Sequence, residues 1–358
     1  MSRKSVKFMK NMLDQSEISF PNAKSILIDI GTPNMKEDDI AMLLQHNLIA
    51  LQLNGGYSST WFLRQVKRSA PKLRLLHLEN GPWEDEWYPD LNFYSHAGWH
   101  PNPNWDPDVT NSANFIIAFK EQPNITHIEL GQGWDNIIEE DLLTYFLLRP
   151  NLEMLCLGDN LPLLWPAMAC LETDYPDAQI LPKIRFLDIS ADKKSVKLLL
   201  SNLENLQGIH LEWKENMAED AANGGFSRCE VLSWLSTCPR LEEIDLSGDV
   251  DLAIPLESFM DLAESCPLLR SLKIRNEFCC GDSETKVPEG FFEKLGHWIT
   301  NLEQVHLPLS GAMSAECLEF FSRSCQNLNS PKPFKSTRAR LLERLIEPIP
   351  GSKYNPET

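Results

Sequence analysis

Ten residues in this chain stand one position to the side of a Leu, Ile or Val-like apolar residue in a short run: His77, His127, Glu129, Asp188, His210, Glu212, Glu243, Asp245, Lys273 and Arg275. In an extended chain alternate side chains point to opposite faces, so these residues turn away from the apolar side. A cluster of carboxylates presented this way is suited to receiving Lys or Arg through charge-assisted hydrogen bonds. Imidazole next to carboxylate, as in His77 with Glu129 or His210 between Asp188 and Asp245, is also metal-ligand chemistry. Ordinary charge alternation produces the same pattern, and no metal is expected here.

A second chemical signal is aromatic. The segment from Gly81 to Val109 carries Trp83, Trp87, Trp99 and Trp105 together with Tyr88, Phe93, Tyr94 and five prolines. Tryptophan buries a large area at low entropy cost, which suits an interface anchor. The same rings could instead pack back on the fold and replace a missing repeat. The segment contains no Lys or Arg, so stacking on nucleic acid is not expected.

Chemistry of other kinds is not signalled. GxSxG, HExxH, GxxxxGK and paired CxxC motifs are absent, so neither an enzyme nor a cofactor is expected. The nine cysteines have no zinc-type spacing and read as reduced, mostly buried thiols. A net charge of −18 argues against a phosphate-backbone partner and is compatible with a basic protein partner. The basic N-terminal stretch lacks the apolar run of a signal peptide, and no stretch approaches the ~18 apolar residues of a membrane helix. The expected place is the cytoplasm, the nucleus or both, with no membrane partner.

The side-facing residues need elements to hold them, and the sequence supplies a repeat. One phrase, a helix end followed by apolar-x-x-apolar-x-apolar, occurs at least ten times. Clear copies are APKLRLLHL (Ala70 to Leu78), QPNITHIEL (Gln122 to Leu130), RPNLEMLCL (Arg149 to Leu157), LPKIRFLDI (Leu181 to Ile189), ENLQGIHL (Glu204 to Leu211), CPRLEEIDL (Cys238 to Leu246), CPLLRSLKI (Cys266 to Ile274) and TNLEQVHL (Thr300 to Leu307). AKSILIDI (Ala23 to Ile30) and NLIALQL (Asn47 to Leu53) open the series. The last apolar positions advance by 23, 25, 52, 27, 32, 22, 35, 28 and 33 residues, where 52 is about two repeats. These steps sit at or a little above the ~20–29 residues of a leucine-rich repeat.

Between the phrases lie stretches with apolar residues at three and four spacing, such as Lys36 to His46, Ser59 to Ser69, Glu139 to Leu148, Leu256 to Cys266 and Pro288 to Ile299, which predict helices. A strand and a helix alternating at this short period give an α/β leucine-rich-repeat solenoid, an arc or horseshoe with a concave parallel sheet and convex helices. A doubly wound sheet is the competing fold, but no Gly-rich phosphate loop supports it.

Two copies, CPRLEEIDL and CPLLRSLKI, carry a Cys-Pro-x-Leu-x-x-Leu-x-Leu phrase that resembles the cysteine-containing leucine-rich repeats of F-box proteins, especially fungal ones. The resemblance covers roughly Ala23 to Leu328. It implies that the repeats select a substrate for a cullin-type ubiquitin ligase, and that Cys238, Cys266 and Cys325 fill the core at helix ends. About twenty residues precede the first strand, and no F-box is visible in them. The alternative is a regulator that occludes a basic enzyme or GTPase surface with no ubiquitin link. A scaffold with no single client is a third reading.

The expected organisation is an N-terminal capping segment at 1–22, a solenoid at 23–330 with the irregular insertion at 81–109, and a C-terminal capping helix and tail at 331–358. Equivalent outward residues form ladders across strands ~4.8 Å apart. The central column reads Asp29, Gln52, His77, Glu129, Cys156, Asp188, His210, Asp245, Lys273 and His306, and Glu212 and Arg275 stand beside it with His127, Phe186 and Glu243 on the other flank. The expected binding site is an acidic groove on this concave face, together with the Trp-rich loop. Ser336 to Glu347 reads as a short amphipathic helix, with Leu341, Leu342, Leu345 and Ile346 on one side, that covers the open end of the last repeat, with a detachable partner-binding helix as the alternative.

Overall fold

The computed structural model describes residues 24–29, 44, 46–54, 60–79, 112–131, 138–157, 164–191, 193–201, 203–213, 228–248, 256–274, 300–306, 323, 327 and 334–346. Ten strands form one sheet in sequential order: β1 (Ser25–Asp29), β2 (Ala50–Asn54), β3 (Leu75–Glu79), β4 (His127–Leu130), β5 (Met154–Leu157), β6 (Phe186–Ala191), β7 (Gly208–Trp213), β8 (Glu243–Gly248), β9 (Ser271–Ile274) and β10 (Gln304–His306). Every neighbouring pair is parallel. Among the described residues, seven helices return the chain from one strand to the next: α1 (Thr60–Ser69), α2 (Ser112–Lys120), α3 (Glu140–Leu147), α4 (Leu164–Asp174), α5 (Lys193–Leu200), α6 (Arg228–Leu235) and α7 (Leu256–Ser265). An eighth, α8 (Thr337–Ile346), follows the last strand. The architecture is a leucine-rich-repeat solenoid of α/β class.

The three apolar positions of each phrase build the core between sheet and helices. Leu73, Leu76 and Leu78 in one repeat, and Leu241, Ile244 and Leu246 in another, belong to a single buried cluster running the length of the sheet. Each such Leu or Ile withdraws enough apolar surface to contribute about 1.5–3 kcal/mol. The lead-in to each strand is also repeated. The carbonyl of the residue before a strand accepts two N–H groups from the next repeat, as Arg185 O does from Gln207 and Gly208 and Glu242 O does from Arg270 and Ser271.

The turn before each strand fastens one repeat to the last. Asn124 Nδ2 donates to Pro71 O at 3.0 Å, Asn205 to Pro182 O at 3.0 Å and Asn301 to Pro267 O at 3.1 Å. Where this position holds a cation, it donates to the preceding asparagine: Lys72 to Asn47, Lys183 to Asn151 and Arg240 to Asn205. Two positions earlier, the helix-end residue satisfies carbonyls that a helix C-terminus leaves unpaired. Cys266 Sγ donates toward Leu235 O at 3.6 Å and Cys238 O at 3.4 Å. Arg149 does the same for the equivalent Phe119 O and Gln122 O. Burial pushes the Cys238 thiol up to about 11 and Cys266 to about 12, so both thiols stay protonated and fill the core as expected. Cys325 lies outside the described residues.

Two expectations are corrected. The 52-residue step is not two rungs, because β3 pairs directly with β4, His77 opposite Glu129. The insertion therefore leaves the sheet continuous, and residues 81–109 lie outside the described ones. In β1, Leu27 pairs with Gln52 and Asp29 with Asn54, so Asp29 stands two residues beyond the central column. Ile26, Ile28 and Ile30 alternate identically, and a slip of two keeps the same face inward, so pattern alone does not fix the register. The expected N-terminal cap at 1–22 and the helices at 36–46 and 288–299 fall on residues that are not described as elements.

Candidate protein-binding face

The face of the sheet away from α1–α7 carries the outward ladders. The register places His77, Glu129, Cys156, Asp188, His210, Asp245 and Lys273 in one column. The adjoining column, nearer the strand starts, reads Ala50, Leu75, His127, Met154, Phe186, Gly208, Glu243 and Ser271. Its middle is apolar, and that is the feature the sequence reading missed by naming only His127, Phe186 and Glu243 from it. Reading the position across all copies of the phrase would have revealed the stripe.

The apolar stripe is covered by α8. Leu341 and Leu345 form a buried cluster with Ala50, Leu75, Met154, Cys156 and Phe186, with Leu342 packed against it. The expected cap over the last repeat is thereby corrected: α8 lies over rungs well inside the sheet. The helix starts at Ser336, whose Oγ accepts the Ala339 N–H at 3.2 Å, an ordinary N-cap at the N3 amide. Its first turn lies at the start of β8, since Arg340 pairs with Glu242 and the Thr337 N–H meets Glu243.

Three acidic groups receive the start of this helix. Arg338 forks onto Glu129, Nε to Oε1 at 3.0 Å and Nη2 to Oε2 at 2.5 Å, while His77 Nδ1 donates to the same Oε2 at 2.6 Å. Burial alone would raise the Glu129 carboxyl, whose side chain is 4% exposed, but the His77 and Arg338 hydrogen bonds outweigh it and hold the group at about 2. Glu243, 1% exposed, accepts the Thr337 N–H on Oε2 at 2.5 Å and His210 Nε2 on Oε1 at 3.1 Å. Its carboxyl is likewise kept low against burial. Arg340 reaches Glu242 and also donates to Thr337 Oγ1 at 3.0 Å.

His210 is the hinge between these columns. Burial would lower it, yet Asp188 and Glu243 raise it to about 9, so it is an imidazolium at neutral pH. Its Nδ1 lies 3.6 Å from Asp188 Oδ2, and its ring meets Phe186 edge-on at 4.9 Å. His127 behaves oppositely. Burial and the nearby Arg74 push it down to about 3, so it is neutral, and its Nδ1 lies 2.8 Å from Thr126 Oγ1. Set between Leu75 and Met154 in the register, it serves as one more plank of the apolar stripe.

Gly208 makes the close approach possible. A Cβ there would stand 2.7 Å from Phe186 Cδ2 and 2.9 Å from Thr337 Cβ, both inside van der Waals contact. The residue allows the first turn of α8 to sit directly on β7.

The remaining expected residues are arranged around this seat. Lys273 Nζ lies 3.8 Å from Asp245 Oδ2, and Ser190 Oγ donates to Glu212 Oε2 at 2.6 Å. Asp188 is the most open carboxylate of the column, with a side chain 43% exposed. Arg275 and Trp83, Trp87, Trp99 and Trp105 lie outside the described residues. Among the described residues, no group of three or more His, Cys, Asp and Glu side chains is arranged to hold a metal ion, and no helix is long and apolar enough to cross a membrane.

No family model matches the chain, and no curated protein matches it. Among solved structures, the leucine-rich repeat-containing protein LegL7 from Legionella pneumophila aligns at 15% identity over 83% of this chain and 79% of its own, with a TM-score of 0.36. The Rad7 and Elc1 complex in yeast aligns at 13% identity over 90% of this chain and 86% of the matched one, with a TM-score of 0.42.

Proposed function

We propose that this protein is a protein-interaction module that uses the face of its sheet away from α1–α7 to receive a basic segment. The observation carrying this reading is the Glu129 fork: a buried carboxylate on the face takes an arginine in bidentate geometry, reinforced by His77. Bidentate pairing of this kind confers geometric selectivity for arginine over lysine. Asp188 and Glu212 extend the acidic surface beside it, and repeat solenoids commonly bind on such extended faces. Catalysis has no comparable support, since the titratable groups here are locked in pairs rather than poised at a pocket.

At a finer level, the Cys-Pro repeats support substrate recognition for a cullin-type ubiquitin ligase, with occlusion of a basic enzyme or GTPase surface as the alternative. Both use the same face. The test is a pull-down from lysate at low and high salt with the full chain as bait, beside Asp188→Lys combined with Glu212→Lys. A client retained by the wild type at low salt and lost in the charge-reversed chain supports the reading. Co-purifying cullin-ligase components select the ubiquitin branch. If circular dichroism matches the wild type and every partner persists, the acidic face is not the binding surface.

A further inference from the structure

The seat of α8 has two properties that a purely structural lid would not need. First, the cluster beneath α8 is separate from the main core. The apolar residues between sheet and helices form one cluster, and Leu341 and Leu345 belong to another on the opposite side of the sheet. Removing α8 would uncover Leu75, Met154 and Phe186 but would not open the layer that holds the repeats together. Second, the seat is charged. Replacing a buried ion pair with matched apolar groups is often neutral or stabilising, so a lid selected only for stability has no need of Arg338 on Glu129 or of Arg340 on Glu242.

We propose that α8 is a resident occupant of the binding face and that the partner recognised in trans presents a helix of the same chemistry, which takes its place. This rests on the reading of that face as the binding surface, and specifies the ligand. The ligand features follow from the contacts. An N-cap hydroxyl stands where Ser336 does, with a free first-turn N–H for Glu243. An arginine two residues after the cap forks onto Glu129, and another two residues later reaches Glu242. Leucines five and nine residues after the cap enter the stripe. Spacings of three and four place Arg338, Leu341 and Leu345 on one helix face, and the bare backbone of Gly208 leaves room for the Cβ at the position of Thr337.

Such an arrangement makes the chain self-blocking. A partner's apparent affinity scales with the fraction of molecules whose face is free, so a free-to-docked ratio of 1:99 weakens it about 100-fold. Anything that releases α8 raises affinity by the same factor.

The probe is a fluorescein-labelled synthetic peptide of residues 334–347, titrated by anisotropy into two full-length proteins. One is wild type, and the other carries Arg338→Glu, Leu341→Ser and Leu345→Ser to free the face. The freed chain is expected to bind the peptide at least tenfold more tightly than wild type, and a peptide of scrambled order is expected not to bind. A freed chain with wild-type circular dichroism that ignores the peptide, or that binds the scrambled one equally, overturns the proposal. If the triple variant does not fold, hydrogen exchange on wild type decides: α8 amides exchanging at least tenfold faster than those of β5–β7 support a detachable helix, and exchange in step with the strands overturns it. Peptide binding without any client loss in Asp188→Lys/Glu212→Lys would leave the helix seat standing while the proposed function falls, so the two failures are distinguishable.

Discussion

Glu129 and His210 set opposite pH limits on the seat of α8. Glu129 is held at about 2 against its ordinary 4.5, so its stabilisation is complete above the unfolded value and is lost as pH falls through about 2. His210 is raised from 6.5 to about 9, so its contribution is complete below 6.5 and is lost as pH rises through about 9. The seat of α8 is therefore firmest between about pH 5 and 6.5. In urea titrations across pH, the stability gap between wild type and His210→Gln is expected to close as pH rises from 6.5 through about 9. A gap that persists unchanged at pH 10 would mean that the imidazolium is not what holds Glu243. Gly208→Ala gives a sharper local test, because the new Cβ would fall 2.7 Å from the Phe186 ring. Overpacking costs about 1–3 kcal/mol, and here it should also lift the first turn of α8, read as faster exchange at Ala339 and Arg340.

At the scale of elements, the sheet is held by repeated turns whose chemistry is interchangeable while its geometry is not. Arg149 and Cys266 occupy the same place and satisfy equivalent carbonyls of the preceding repeat. Arg149→Leu should cost about 1–3 kcal/mol through carbonyls left without a donor, measured as a lowered urea midpoint. Cys266→Ser keeps a donor and should cost less than Arg149→Leu, and the reverse order would count against this account of the turn. The helix and strand phrases were legible because their apolar spacing is the signal itself: α1, α3, α7 and α8 fall within a residue or two of the stretches read at Ser59, Glu139, Leu256 and Ser336. The β1 register was not legible, since three alternating isoleucines fit two registers equally well.

For the molecule as a whole, the two apolar clusters on opposite sides of the sheet predict two levels of opening. Leu341→Ser with Leu345→Ser should leave far-UV circular dichroism close to wild type while increasing binding of an apolar dye to the uncovered stripe. Complete unfolding of that variant would show that the clusters are one cooperative unit. By itself, the sequence determined the solenoid, the order of the rungs and the central column from His77 to Lys273, because a period-two strand repeated every few dozen residues leaves one way to bury its leucines. It also identified 336–347 as an amphipathic helix. Where that helix goes was decided only by the tertiary structure. A helix with one apolar side can cover any apolar surface within reach, and the choice between the last rung and the middle of the sheet depends on groups distant in sequence. Phe186 and Met154 supply the floor, Gly208 the clearance, and Glu129, Glu242 and Glu243 the partners for Arg338, Arg340 and the first-turn amide. Those groups meet only when the rungs are stacked.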